Sequence, residues 1–114
     1  MPRRLVAVMG LPGAGKSVAA QMIAQQIGAV LLRSEVIRKE ICPIPAYTPE
    51  EGQHVYHEMF EQAAALLTRG YSVVLDATFR ADALRRQTQV VASAAGVPWR
   101  LVLVIADEAV IRVC

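Results

Sequence analysis

The segment Gly10–Ser17, with the sequence GLPGAGKS, constrains the fold of this chain more than any other stretch. It follows the pattern G-x-x-x-x-G-K-[ST], in which glycines let the backbone turn tightly and bring successive N–H groups to face an anion. A helix that starts directly after such a loop points its own unpaired N–H groups at the same anion. The segment therefore predicts a phosphate-binding loop between a strand and a helix.

The residues of this predicted loop are suited to hold a nucleoside triphosphate together with Mg²⁺. The Lys16 ammonium suits the β- and γ-phosphates, and the Ser17 hydroxyl suits Mg²⁺. The residues predicted to contact the nucleotide are Gly10, Leu11, Pro12, Gly13, Ala14, Gly15, Lys16, Ser17 and Val18.

The sequence on either side of the loop agrees with this interpretation. Leu5–Met9 is a short apolar run of the kind found in buried parallel strands. Residues 18–27 combine helix-forming residues with apolar positions at helical spacing. Because strand, loop and helix occur in the order that the motif requires, the alternative of a glycine-rich turn without a ligand is disfavoured.

Length and composition predict one small domain, formed by residues 1–114, of which 54% are apolar. The net charge is only +2 and the basic residues are scattered, unlike the basic stripe of a nucleic-acid-binding protein. No apolar run has the length of a membrane span, and the first one breaks at Gly10, so we expect a cytoplasmic protein. Cys42 and Cys114 are far apart, which predicts reduced thiols.

Apolar runs and helical patterns alternate along the rest of the chain and predict parallel βαβ units with right-handed crossovers. Residues suited to cap a helix are Ser34, Thr48 and Asp107, and Glu51 would complete a capping box with Thr48. Further strands are predicted at residues 29–33, 71–76 and 99–106, and further helices at 35–41, between Thr48 and Gly70, at 81–95 and at 108–114.

Two acidic residues follow or end predicted strands, and these strand ends meet at the sheet edge that carries the loop. Asp76 interrupts an apolar run, where a bare carboxylate would be costly to bury, so we expect it in a site. Glu35 lies just after the second strand. Its alternative role is that of an acid in the first turn of a helix, where it favours the helix dipole.

Three segments together resemble the P-loop small-kinase family often described as AAA-domain predicted kinases. They are VMGLPGAGKS at 8–17, RSEVIRKE at 33–40 and SVVLDATF at 72–79. This family is similar to zeta toxins, chloramphenicol phosphotransferase, gluconate kinase and polynucleotide 5′-kinase. The resemblance extends from Arg4 to about Arg112 and implies an α/β fold with three αβα layers and a parallel sheet in the strand order 2-3-1-4.

The resemblance also implies an activity, namely transfer of the γ-phosphoryl group from ATP, with Mg²⁺, to a hydroxyl of a small molecule or a polynucleotide end. It assigns Glu35 as general base, Arg38 to the substrate, and Asp76 to a Mg²⁺-bound water or to the substrate. Glu35 stands where the family has Asp and is one methylene longer. The alternative is a module that binds ATP without turnover.

Compared with that family, the chain stops at Cys114, before the expected fifth strand and the arginine-bearing lid. We therefore expect a fragment, or a site that another chain completes. The fourth strand would then have an open edge, which favours a homodimer through that edge. The acceptor is expected to contact the segment Cys42–Tyr47.

Two further groups of side chains have a solvated helix face as the competing interpretation. His54 and His57 have a spacing that could bind a metal, but no further ligands are evident and we favour the exposed face. An anionic substrate could be reached by Arg80, Arg85 and Arg86. The aromatic residues Tyr56, Phe60 and Trp99 are expected in the core.

Overall fold

A computed structural model of the chain describes residues 3–10, 15–105 and 110–113. Strands and helices alternate from the start, as the sequence predicts. The elements are β1 (Leu5–Met9), α1 (Lys16–Ile27), β2 (Val30–Arg33), α2 (Ser34–Ile41), α3 (Pro49–Thr68), β3 (Val73–Asp76), α4 (Asp82–Ala95), β4 (Trp99–Ile105) and β5 (Val110–Val113).

The strands form one sheet in the order β2-β3-β1-β4-β5. The first four are parallel, which confirms the predicted order 2-3-1-4. Asp76 at the end of β3 lies in register with Val8 of β1 on one side and with Arg33 of β2 on the other. The sheet therefore brings the ends of β1, β2 and β3 together at one edge.

Both faces of the sheet are covered by helices, so the predicted three layers are confirmed. Alternate residues of a strand point to opposite faces. Leu5 and Leu75 accordingly pack in a core cluster with Met59 of α3. Val8 packs on the other face with Ala20 of α1.

The prediction of a helix at residues 108–114 is wrong, because residues 110–113 form β5, which pairs antiparallel with β4. Val110, Ile111 and Val113 are β-branched and favour a strand when a neighbouring edge offers hydrogen-bonding partners. A strand thus follows β4 directly, at the place where the sequence predicts a helix. The open edge of β4, on which the predicted homodimer depended, is occupied. The proposed cap Asp107 lies outside the described residues.

Helix starts agree with the sequence at α3 and differ at α2. The Thr48 hydroxyl accepts a hydrogen bond from the Glu51 N–H at 3.2 Å, which confirms the predicted cap of α3. Ser34 does not cap α2, because it is the first helical residue and Arg33 takes the cap position without a side-chain bond. In the described part of the chain, none of the helices is both long and apolar enough to span a membrane.

Candidate active site

Two glycines shape the described ends of the predicted phosphate loop. A Cβ at Gly10 would lie 2.9 Å from the carbonyl oxygen of Val104, so a larger residue would push β1 and β4 apart. Gly15 has a φ of 85°, a left-handed conformation, directly before α1. Leu11–Ala14 lie outside the described residues. Both ends therefore need glycine for a steric or conformational reason.

Asp76 is the most buried charged residue of the site, with only 3% of its side chain exposed. Its Oδ1 accepts a hydrogen bond from the Lys16 ammonium, whose side chain is 14% exposed. The Nε of Arg33 lies 3.7 Å from Oδ2 of the same carboxylate. The buried charge of Asp76 is thus balanced by two cations, one from α1 and one from the end of β2.

A cleft of about 630 Å³ opens beside Lys16. Glu35 lies in this cleft together with the described end of the phosphate loop, as the positions of the strand ends predict. Asp76 does not line the cleft but contacts Lys16, which does. The residues that line the cleft are Gly15, Lys16, Ser17, Val18, Ser34, Glu35, Tyr47 and Thr78.

Glu35 and Arg38 face each other from neighbouring turns of α2 but differ in exposure. Glu35 is 61% exposed, and its carboxylate lies 3.6 Å from Nε of Arg38 and accepts a 3.5 Å hydrogen bond from the Tyr47 hydroxyl. Arg38 is only 12% exposed, and its Nη1 donates to Oε2 of Glu51 at 2.5 Å. Glu35 is therefore open to a substrate, whereas Arg38 is held by side chains of this chain.

Glu51 lies at the centre of a hydrogen-bond network, although its sequence position predicts only a role in helix capping. Its carboxylate accepts hydrogen bonds from the N–H groups of Ala46, at 2.9 Å, and Tyr47, at 3.0 Å, and not from Thr48 as a capping box requires. The Ala46 N–H first, and then Arg38 and the Tyr47 N–H, lower the pKa of Glu51 from 4.5 to about 2. The hydrogen bond between the Cys42 thiol and Glu51 raises the pKa of that thiol. Glu51 therefore stays ionised at neutral pH.

Four residues of this region, Arg33, Ser34, Tyr47 and Thr78, were not predicted as site residues; Ser34 was predicted only as a helix cap. Tyr47 belongs to the segment Cys42–Tyr47 that we expected to contact the acceptor, so the sequence did indicate the region in which it lies. Thr78 follows Asp76 by two positions, and Arg33 lies beside Asp76 through the register of β2 and β3. That register depends on sheet pairing and has no signature in the local sequence.

The other candidates lie away from the cleft. His54 and His57 are on an exposed part of α3, and no group of three or more His, Cys, Asp or Glu side chains among the described residues could hold a metal ion. Arg85 donates to the carbonyl oxygen of Phe79 at 2.9 Å and, like Arg86, forms an ion pair with Asp82. Free thiols were predicted, and Cys42 is a free cysteine. Cys114 lies outside the described residues.

A parallel sheet in the order 2-3-1-4, with a loop after β1 that leads into Lys16 and Ser17, defines a P-loop kinase-like domain. The chain belongs to the AAA domain family, which matches residues 5–113. It is 33% identical over 88 residues to an uncharacterized protein of Mycobacterium tuberculosis. That match covers 67% of this chain but 18% of the relative, so this chain corresponds to a small part of that protein.

Solved structures of small kinases share the fold. An APS kinase of Mycobacterium tuberculosis, solved with AMPPNP and APS, superimposes with a TM-score of 0.78 at 19% identity, over 94% of this chain and 65% of its own. A gluconokinase of Sinorhizobium meliloti gives a TM-score of 0.62 at 23% identity, over 90% and 57%. At these identities the likeness shows the fold, and this chain spans about three fifths of each structure.

Proposed function

We propose that this chain binds ATP with Mg²⁺ and forms the nucleotide-binding part of a kinase that transfers the γ-phosphoryl group to a hydroxyl. The observation that carries the proposal is the cleft in which Lys16, Ser17 and Glu35 meet. A cation and a hydroxyl for the phosphates lie there beside a carboxylate for the acceptor. The kinase fold of the structural relatives supports the same reaction class.

The residues present fit a triphosphate and its metal ion. The left-handed Gly15 leads the backbone into the first turn of α1, where unpaired N–H groups favour an anion. Lys16 would bind the phosphates, while Ser17 and Asp76 would hold Mg²⁺, which usually keeps several of its water ligands and needs few protein oxygens. Mg²⁺ would neutralise charge on the transferring group.

Glu35 is suited to act as the general base. It is exposed in the cleft, and among the described lining residues it is the only carboxylate. Glu35 would take the proton of the acceptor hydroxyl while that oxygen bonds to the γ-phosphorus and ADP leaves. The extra methylene relative to Asp is accommodated at the protein surface, where the Tyr47 hydroxyl and Arg38 restrain its carboxylate.

Binding and transfer are tested separately. Isothermal calorimetry in a buffer without phosphate or sulfate should show ATP binding that Lys16→Ala weakens by at least about tenfold. Lys39→Ala is the matched control, because Lys39 is an exposed lysine of α2, and it should bind ATP like the parent. Equal affinity in the Lys16→Ala variant and the parent would refute the phosphate-loop assignment.

Transfer is followed by ³¹P NMR of ATP with a panel of alcohols. Glu35→Gln should keep the ATP affinity of the parent and lose transfer, because an amide cannot accept the hydroxyl proton. Transfer that is unaffected by Glu35→Gln would contradict the assignment of the base. ATP binding without transfer to any alcohol would instead favour a nucleotide-binding module.

A further inference from the structure

The part of the cleft outside the phosphate loop is lined by Ser34, Glu35, Tyr47 and Thr78. These residues offer three hydroxyls and one carboxylate to a ligand. Among the described residues that line the cleft, Lys16 is the only cation, and its ammonium is paired with Asp76. This half of the cleft therefore has hydrogen-bonding groups but no cation of its own for an anionic acceptor.

Arg38, the nearest candidate for binding an anion, is already engaged. Its guanidinium donates to Glu51 at 2.5 Å, and Glu51 is only 7% exposed. The same carboxylate accepts hydrogen bonds from two backbone N–H groups of the preceding loop. An anionic ligand of Arg38 would compete with Glu51 for this guanidinium, and drawing the cation away from the largely buried Glu51 carboxylate is unfavourable.

The guanidinium of Arg38 instead supports Tyr47. It lies 4.8 Å from the centroid of the Tyr47 ring, which is a favourable cation–π distance. Tyr47 has a φ of 57°, a conformation that non-glycine residues rarely adopt and that the bonds of Glu51 to this loop hold in place. The residue is 64% exposed, so one face of its ring is covered by Arg38 while much of the side chain remains open to the cleft.

A second residue of α3 holds the loop that carries Thr78. The Tyr56 hydroxyl lies 3.3 Å from Oγ1 of Thr78 and accepts a 3.2 Å hydrogen bond from the Phe79 N–H. Phe79 is fully buried and has a φ of 47°. Helix α3 therefore positions both loops of this half of the cleft, one through Glu51 and the other through Tyr56.

We infer that the acceptor is an uncharged cyclic compound rich in hydroxyls, which packs on the Tyr47 ring and hydrogen-bonds to Ser34 and Thr78. Arg38 and Glu51 are positioning residues that hold Tyr47. A ring with an apolar face suits an aromatic side chain, and its hydroxyls suit the hydroxyls of the cleft. The inference rests on the proposed kinase function and excludes phosphate-bearing acceptors, including polynucleotide ends.

The test is a titration of the ¹⁵N-labelled chain saturated with AMPPNP and Mg²⁺, read from the amide signals of Ser34, Tyr47 and Thr78. The probes are myo-inositol and glucose, their phosphorylated counterparts inositol 1-phosphate and glucose 6-phosphate, and a short 5′-hydroxyl oligonucleotide. We expect saturable shifts with the neutral compounds only. Shifts with the anions only, or with no compound, overturn the inference. Failure of AMPPNP itself to bind overturns the proposed function instead.

Variants separate the two roles. Tyr47→Ala should weaken binding of the neutral probe by about tenfold, and Tyr47→Phe, which keeps the ring, by less than about threefold. Glu51→Gln should release Arg38 and give saturable shifts with glucose 6-phosphate, a gain over the parent, which shows none. Adding Arg38→Met should abolish that gain. Equal AMPPNP affinity in all variants shows that they fold. Equal effects of Tyr47→Ala and Tyr47→Phe, or no gain in Glu51→Gln, contradict the inference.

Discussion

Lys16 and Asp76 form an ion pair between the first turn of α1 and the end of β3. The same ammonium is predicted to bind the phosphates of a nucleotide, and the same carboxylate to serve Mg²⁺. Asp76 is almost fully buried and contacts Arg33 as well, so it keeps a partner when Lys16 turns to a phosphate. Nucleotide binding and the ion pair therefore compete for one cation.

The competition predicts that Asp76→Asn raises the ATP affinity without metal and reduces the gain in affinity that Mg²⁺ brings. In EDTA the variant should bind ATP about tenfold more tightly than the parent, since Lys16 is free and a negative charge is gone. With Mg²⁺ present, the parent should gain affinity and the variant should gain little. Calorimetry measures the four dissociation constants for ATP, those of the parent and of the variant, each with EDTA and with Mg²⁺. If Mg²⁺ raised the ATP affinity of both proteins equally, the assignment of Asp76 to the metal site would be wrong.

Glu51 should stabilise the fold in a pH-dependent way. Its folded pKa is about 2 against an ordinary 4.5, so its carboxylate stabilises the folded chain above about pH 4.5, and this contribution is lost as the pH falls towards 2. Urea unfolding at a series of pH values should show Glu51→Gln to be less stable than the parent at pH 6, with the difference shrinking below pH 4.5. Glu50→Gln, at the neighbouring exposed position, is the control. A difference that is constant from pH 6 to pH 3 would contradict the network.

The Tyr56 hydroxyl should matter for stability and for the loop of Thr78 and Phe79, but not for nucleotide affinity. Tyr56→Phe leaves the Phe79 N–H without its partner and should lower the free energy of unfolding by about 1–2 kcal/mol. The ATP affinity should be unchanged. Tyr71→Phe removes an exposed hydroxyl and should leave stability within about 0.5 kcal/mol of the parent. Equal stability of the two variants in urea would show that the Tyr56 contacts are unimportant.

Substitutions of two methionines, one buried and one exposed, test the packing of the core. Met59 of α3 is fully buried, and Met59→Ala should lower the free energy of unfolding by about 2–5 kcal/mol through lost apolar contacts and a cavity. Met22 of α1 is 55% exposed, and Met22→Ala should change it by less than about 1 kcal/mol. Chemical denaturation compares them. A larger loss at Met22 would place an unrecognised apolar contact on α1.

Sequence alone was sufficient where the signal is local. The run Leu5–Met9, the glycine loop and the Thr48 cap each depend on neighbouring residues, and the structure has the strand and the cap as predicted. Residues 110–113 were misassigned because a potential cap at Asp107 indicated a helix, whereas their conformation depends on pairing with β4. A local pattern contains no information on such a distant partner.

The same reasoning explains what was missed in the candidate site. Glu35 and Asp76 could be placed beside the loop, because the ends of parallel strands meet at one edge. The engagement of Arg38 by Glu51 could not, since it joins two helices across the turn of residues 42–48. Only the tertiary structure distinguishes an arginine that is available to a ligand from one that is already paired with a carboxylate of the same chain.

The attachment of the loops of Tyr47 and Thr78 to the same helix, α3, has a mechanical consequence. Glu51 and Tyr56 belong to one continuous helix, so the loop of Tyr47 and the loop of Thr78 are both attached to α3. A sideways displacement of this helix would carry both loops in the same direction. The distance from these two loops to the phosphate loop would then change together with the position of α3 along the sheet.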